Sequence, residues 1–438
     1  LAGNMAAVYL AARVVTALLG TLAVAATYWA ASSGTDPHFH DCPGRANSGG
    51  PGHVVLDAGS PRHVAANANG ASLMAALILC IAPLHVQHSH FATVDVPSTL
   101  FVALCLGFAF RVLSRGAWRD YLLCGATAGF AAGTKYNAGL IIFSLAAAHF
   151  LSLWGKHPES DERLRSREHP ELVHRRSRSL LCLLSGLACA VLAFIVSTPG
   201  SIFQTRDFLY GLTYEMRHAG EGHGLVFAGT GNGFLFTFTS SLWYGLGPAL
   251  SILFVIAAIY GLVRLDKRAL IIVAFALPYY ALVSLSLVRF ARYSLPLFPP
   301  AALLIVWMTM DLWRRFPKAL RWALGSLLAV ALAGTLLYTI ALDRLFVQTP
   351  PQDRAARWIF ANIPKGSPIG MVDVPWFYSP PYSKAAGMGT LQQRQKAVAQ
   401  MPYQSTSIVP PNQAFIWTPP RWAVTSDYET GDAQRLQH

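Results

Sequence analysis

Charge is scarce in this chain. Of its 438 residues only 13% are Asp, Glu, Lys or Arg, about half of the roughly 25% usual in soluble domains. Acidic groups are the scarcer, 21 against 34 basic ones. Cysteine is sparse too, with six in the chain, and Cys80, Cys105, Cys124, Cys182 and Cys189 all lie in apolar runs, where a thiol behaves as a small hydrophobe. Only Cys42 sits in a polar segment. That excludes a disulfide framework and leaves the redox compartment unreadable from cysteine usage. There is no initiator Met and no charged leader before the first apolar run, so no signal peptide is visible.

What is present is apolar. Hydrophobic residues make up 53% of the chain and its mean hydropathy is +0.39. A soluble chain of this length cannot keep that much apolar surface from water, so a single soluble globular domain is excluded. A net charge of +13 and a pI near 9.6 would suit a nucleic-acid partner, but on so apolar a chain the basic excess reads as the inner loops of a membrane protein. About twenty apolar residues cross a bilayer as a helix. By that measure ten spans are expected: 5–31, 71–92, 95–113, 119–134, 137–154, 179–199, 240–263, 269–287, 295–313 and 322–342. The chain is therefore expected to be a polytopic α-helical membrane protein.

Alternate loops differ sharply in basic content. The set 32–70, 111–119, 155–178, 264–268 and 314–321 holds nineteen Lys and Arg, against five in the opposite set. The positive-inside rule puts the first set in the cytoplasm. Residue 1 then begins outside, which predicts a preceding span, and the tail 343–438 is expected to be an extracytoplasmic soluble domain. Residues 1–342 form the expected transmembrane domain. Within it, 32–70 reads as a disordered cytoplasmic insertion, whose His38, His40 and Cys42 lack a fourth ligand at recognisable spacing. Segment 200–239 is an outer loop. In the tail, Pro350 and Pro351 open a helix with Ala355, Trp358, Ile359 and Ile363 at helical spacing. Strands are expected over 368–372 and 422–425 with loops between, giving a small, incomplete α/β domain.

Several polar residues converge on the outer face. Asp95 opens a span, where a carboxylate is costly unless paired, wetted or used; helix capping is the plainer role. Of His85, His88 and His90, the last is nearest Asp95 and the best of the three for a substrate contact. Lys135 separates two spans and suits an anionic partner, with snorkelling as its alternative. Arg13 lies inside the first span and needs an acid or a phosphate. The loop 200–239 carries Glu215, His218 and His223 among glycines, as a mobile loop over a site does. Arg289, Arg292 and Tyr293 occupy a short outer turn, where paired guanidiniums would hold a phosphate.

The order of these motifs resembles a known family. His90-Phe-Ala-Thr-Val-Asp95-Val-Pro is followed by Gly133-Thr-Lys135-Tyr, then by Ser197-Thr-Pro-Gly and the Glu215 to His223 loop. Arg292-Tyr-Ser-Leu-Pro-Leu-Phe-Pro and Asp353-Arg-Ala-Ala-Arg-Trp358 complete the series. Together they resemble the bacterial family 39 glycosyltransferases of the GT-C class, relatives of protein mannosyltransferases and aminoarabinose transferases. The resemblance implies transfer of a sugar, with inversion, from a polyprenyl-phosphate carrier to a protein, lipid or glycan acceptor. It places the reaction at the outer face of the bacterial inner membrane. It implies Asp95 as the catalytic acid or base, Lys135, Arg289, Arg292, Tyr293 and Arg13 as donor-phosphate groups, and His90, Glu215, His218 and His223 on the acceptor side. A carboxylate in such a site could also orient a divalent ion, though no ligand set here demands one. The family's first acidic loop, which follows its first helix, has no counterpart in this chain, so the chain as given is expected to be inactive. Membrane lipids are the other expected partners, and nucleic acid is not one. A secondary transporter or lipid flippase is the alternative from another class; it would predict internal repeats, and none is evident.

Overall fold

The computed structural model describes residues 5–35, 61–154, 170–222, 227, 229–371, 404–407 and 422–424. The chain divides into two compact units, one built from Ala6–Gly220 and Gly231–Leu342, the other from Leu1–Met5, Glu221–Thr230 and Asp343–His438.

The larger unit is helical. Its elements are α1 (Met5–Gly34), α2 (Pro61–Cys80), α3 (Pro83–Ser89), α4 (Asp95–Arg115), α5 (Trp118–Thr134), α6 (Ile142–Leu153), α7 (Pro170–Ser197) and α8 (Gly200–Phe203). They continue with α9 (Thr205–Glu221), α10 (Gly233–Phe236), α11 (Trp243–Leu246), α12 (Pro248–Val263), α13 (Lys267–Leu285), α14 (Phe298–Arg315) and α15 (Lys318–Asp343). Tight 3-10 turns over Tyr136–Ile141 and Ala291–Leu297 lead into α6 and α14, and a π-helical turn, Thr237–Leu242, joins α10 to α11.

Among the described residues, seven helices are long and apolar enough to cross a membrane, and nine if each of two bent pairs counts as one span. The expected ten spans are thus not reproduced. Helix α5 has 17 residues and is too short for that set. The expected span at 71–92 is broken at Ile81 and Ala82, where α2 and α3 meet at 65°. Pro83 cannot donate a backbone N–H to continue α2. The Ile81 carbonyl at the break is recovered from across the bundle, accepting a 2.6 Å hydrogen bond from the Thr339 hydroxyl on α15. The expected span at 240–263 starts earlier and bends by 118° between Leu246 and Pro248. Gly247 there has φ +96° and ψ 144°, a conformation open essentially to glycine alone. The expected mobile loop at 200–239 is largely helical, its main element being α9.

A buried hydroxyl-to-carbonyl bond can be tested directly. In Thr339→Val the shape is kept and Ile81 loses its donor, which should cost about 1–3 kcal/mol. Thermal unfolding of the purified protein should show a lowered Tm, and an unchanged Tm would mean the bend does not depend on this bond.

The burial pattern is that of a membrane bundle. Helix α4 and the segment Ala291–Arg315 form its interior, while α1, α7 and α15 carry large exposed apolar side chains, among them Leu10, Leu181, Val196, Val330 and Leu337. Lipid is the solvent that makes such a surface stable. Helices α5 and α7 pack backbone to backbone. A Cβ added at Gly125 would overlap the Gly186 carbonyl, at Gly129 the Ala190 carbonyl, and at Gly133 the Ser197 hydroxyl.

In the smaller unit, α16 (Pro351–Asn362) buries Ala356 and Ile359, with Ile363 buried just beyond it. A turn through Gly366, at φ +86°, leads to β1 (Pro368–Met371), which pairs in parallel with β2 (Gln404–Ser407) on one side and β3 (Trp422–Val424) on the other. Two of these strands fall where the sequence placed them. Gln404–Ser407 does not, because its polar sequence has no alternation of apolar residues to mark it. The expected disordered insertion at 32–70 is helical at both ends, since α1 runs to Gly34 and α2 starts at Pro61, while residues 36–60, including His38, His40 and Cys42, lie outside the described residues.

Candidate active site

The two prolines that flank the start of the third expected span decide where Asp95 sits. Pro83 breaks the preceding helix, the chain turns through residues 90–94, and α4 then begins at Asp95 with Pro97 in its first turn. Val94 occupies the cap position and no side chain caps the helix. Capping is therefore not what the Asp95 carboxylate does. Its backbone carbonyl accepts from Ser98 Oγ and Thr99 Oγ1, both at 2.8 Å, which fixes the first turn.

The Asp95 side chain is 3% exposed and its carboxylate is held between two cations. Lys135 Nζ lies 2.5 Å from Oδ1, and Arg292 Nε lies 3.7 Å from Oδ2. Lys135 reaches it because α5 ends at Thr134 and residue 135 is extended, with φ −155°. Its ammonium also sits 3.9 Å from the centroid of the Tyr293 ring, and the Arg292 guanidinium lies 4.2 Å from that of Phe290, both within cation–π range. The turn that carries Arg292 and Tyr293 is anchored by Tyr279, whose hydroxyl donates to the Tyr293 carbonyl at 2.8 Å. One buried carboxylate is thus faced by two basic side chains.

Asp95, Lys135, Arg292 and Tyr293 are thus brought together. Glu215 is exposed on α9 within electrostatic reach of Tyr293. Helix α9 is tied to the turn before Arg289 by the Ala219 carbonyl, which accepts from Leu287 N–H at 2.8 Å. His218 stacks on Tyr214 with centroids 5.9 Å apart. Arg289 is engaged elsewhere: it donates to the Gly231 carbonyl at 2.8 Å and to the Ser286 carbonyl at 3.3 Å. Arg13 is exposed on α1 and makes no ion pair with a described residue. His223 lies outside the described residues.

The histidine nearest in sequence is not the one nearest in charge. His90 is exposed and its Nδ1 pairs with the Val86 carbonyl at 2.8 Å. His88, two residues earlier, lies within electrostatic reach of Asp95, Arg292 and Lys135. His88 Nδ1, Thr93 Oγ1 and Asn137 Oδ1 are buried and make no hydrogen bond with described residues. Buried polar atoms of this kind usually have partners, and of the three residues His88 is the one in electrostatic reach of Asp95. Asn137 and Thr93 each stand two residues from a charged member of the group, which is the signal that sequence reading passed over. No group of three or more His, Cys, Asp or Glu that could hold a metal ion occurs among the described residues.

Residues 66–160, which include both Asp95 and Lys135, match the family model for dolichyl-phosphate-mannose-protein mannosyltransferase. The similarity to that family covers this segment of the chain. Among solved structures it is similar to the apo crystal structure of ArnT from Cupriavidus metallidurans, at TM-score 0.46 and 15% identity over 88% of this chain and 73% of that one. The structure of that ArnT bound to undecaprenyl phosphate gives TM-score 0.43 and 16% identity, over 89% and 74% of the two chains. No curated protein matches the sequence.

Proposed function

We propose that this chain transfers a sugar from a polyprenyl-phosphate carrier to a protein, lipid or glycan hydroxyl, with inversion, at the extracytoplasmic face of a bacterial inner membrane. The observation that carries the reading is the buried Asp95 held between Lys135 and Arg292, at one end of a membrane bundle with a mannosyltransferase-type segment. Asp95 accepts the proton of the acceptor hydroxyl as its oxygen attacks the anomeric carbon. The bond from that carbon to the phosphate oxygen breaks, and the departing lipid phosphate gains negative charge. Lys135 and Arg292 stabilise that charge. Before the donor arrives the same two cations neutralise Asp95, so donor phosphate and carboxylate compete for them. Donor binding therefore frees the carboxylate when the acceptor needs it.

Purified protein that also carries the family's first acidic loop, placed in vesicles with a polyprenyl-phosphate sugar and a mixture of acceptors, should form a glycosylated product. Arg292→Gln should lower kcat/KM for the donor by about 10²-fold while leaving the KM for the acceptor near its original value. Movement of the carrier across the vesicle bilayer without any transfer would overturn the proposal in favour of a flippase.

A further inference from the structure

The end of the bundle away from Asp95 holds polar groups that sugar transfer does not use. Helices α12, α13 and α14 enclose a cavity of about 150 Å³ there, walled by Tyr260, Arg264, Asp266, Trp307, Asp311 and Arg315 over a floor of small and apolar residues. Both carboxylates in the wall are already engaged. Asp311 Oδ2 accepts from the Tyr260 hydroxyl at 2.5 Å and from Arg315 Nε at 2.8 Å. Asp266 accepts from Arg268 Nε at 3.0 Å and Nη2 at 2.7 Å. Burial acts to raise the Asp266 pKa, but the hydrogen bonds from Arg268 outweigh it and hold the carboxyl below its ordinary range.

Two donors in the wall are not engaged in this way. Arg264 lies within electrostatic reach of Asp311 but forms no ion pair or side-chain hydrogen bond with a described residue. Trp307 is 6% exposed, and its indole N–H makes no hydrogen bond with a described residue. The turn that presents Arg264 is strained: Leu265 has φ +49°, a left-handed conformation that a bulky residue adopts only when its surroundings impose it.

The surroundings indicate what the cavity takes. The turns at 264–268 and 314–321 carry seven basic residues and one acidic one. Val263 and Leu265, on either side of Arg264, are 77% and 62% exposed, so the free guanidinium stands in an apolar rim at the end of a membrane helix. A basic pocket between helix ends in such a rim faces lipid headgroups. We propose that this cavity binds the phosphate of a membrane phospholipid, with Arg264 as its cation and the Trp307 N–H as a further donor. The proposal does not depend on the transfer reaction.

The test uses the full chain in a non-ionic detergent with phosphatidylglycerol, a diacylglycerol of the same acyl chains, or inorganic phosphate. Phosphatidylglycerol should raise the Tm and be retained in native mass spectrometry, and diacylglycerol should do neither. Arg264→Gln should weaken retention about tenfold, Trp307→Phe should weaken it less, and Lys318→Gln, outside the cavity, should leave it unchanged. Equal stabilisation by diacylglycerol, or full retention in both Arg264→Gln and Trp307→Phe, would overturn the site. Loss of retention in Lys318→Gln equal to that in Arg264→Gln would also overturn it, since diffuse surface charge would then suffice. Inorganic phosphate reproducing the whole shift by itself would overturn the lipid as the source of the phosphate.

Discussion

Asp95→Asn should abolish sugar transfer and also lower the stability of the protein, and the two effects can be separated. Loss of a positioned general base costs about 10²–10⁴-fold in rate. The amide also leaves the Lys135 ammonium, 14% exposed, without its counter-charge. Removing one partner of a buried ion pair costs about 3–5 kcal/mol, so Tm should fall markedly in the single variant. Arg292, at 3.7 Å and more exposed, adds less to this penalty. The double variant Asp95→Asn with Lys135→Met removes both charges and should recover most of the lost Tm, because no isolated ion is left buried. It should not recover transfer. Product formation at the original rate in Asp95→Asn would remove the carboxylate from the chemistry. Recovery of transfer in the double variant would reduce Asp95 to charge balance.

The second large effect is expected far from the charges. Gly129→Val on α5 should prevent α7 from docking, since even a methyl group there meets the Ala190 carbonyl and the Ala193 side chain. Both obstacles belong to a rigid helix, and overpacking of such contacts costs about 1–3 kcal/mol or more. A protein without a monodisperse folded form in detergent is the expected outcome, with Gly129→Ala milder. Gly334 on α15 is the contrasting case: a Cβ there meets nothing within 4 Å. Gly334→Ala should raise stability by about 0.5–1 kcal/mol. If valine at 129 proves no worse than alanine at 334 in thermal unfolding, close backbone packing does not hold α5 to α7.

Long apolar runs made most of the bundle legible, because a spanning helix needs only length and apolar composition. Single-residue events escaped that kind of reading. The bend at Gly247 depends on one φ value, and the break at Ile81 depends on Pro83 together with a hydroxyl 258 residues away in sequence. The contact stripe Gly125, Gly129 and Gly133 was present as a small-residue pattern at fourfold spacing, a sign of close helix packing. The charged group was legible in its members, since Asp95 looked costly at a span start, Lys135 suited an anionic partner and Arg292 suited a phosphate. Its membership was harder. Arg289 looks equivalent to Arg292 in sequence, yet three residues of turn direct it to the Gly231 carbonyl. His88 and His90 differ only by the direction each ring takes at the end of α3, which spacing does not reveal.

The length of α5 has a consequence for depth. Seventeen residues rise about 26 Å, against roughly 30 Å of hydrocarbon in a typical bilayer. If its first turn, with Trp118 and Arg119, lies at one water boundary, its far end stops a few ångströms short of the other. Lys135 caps that end, and in that setting the ammonium and the acid it touches lie beneath the headgroup plane. On the proposed reaction a carrier phosphate would then settle downward to meet them with its tail still in oil, and the sugar would be the part left nearest to water.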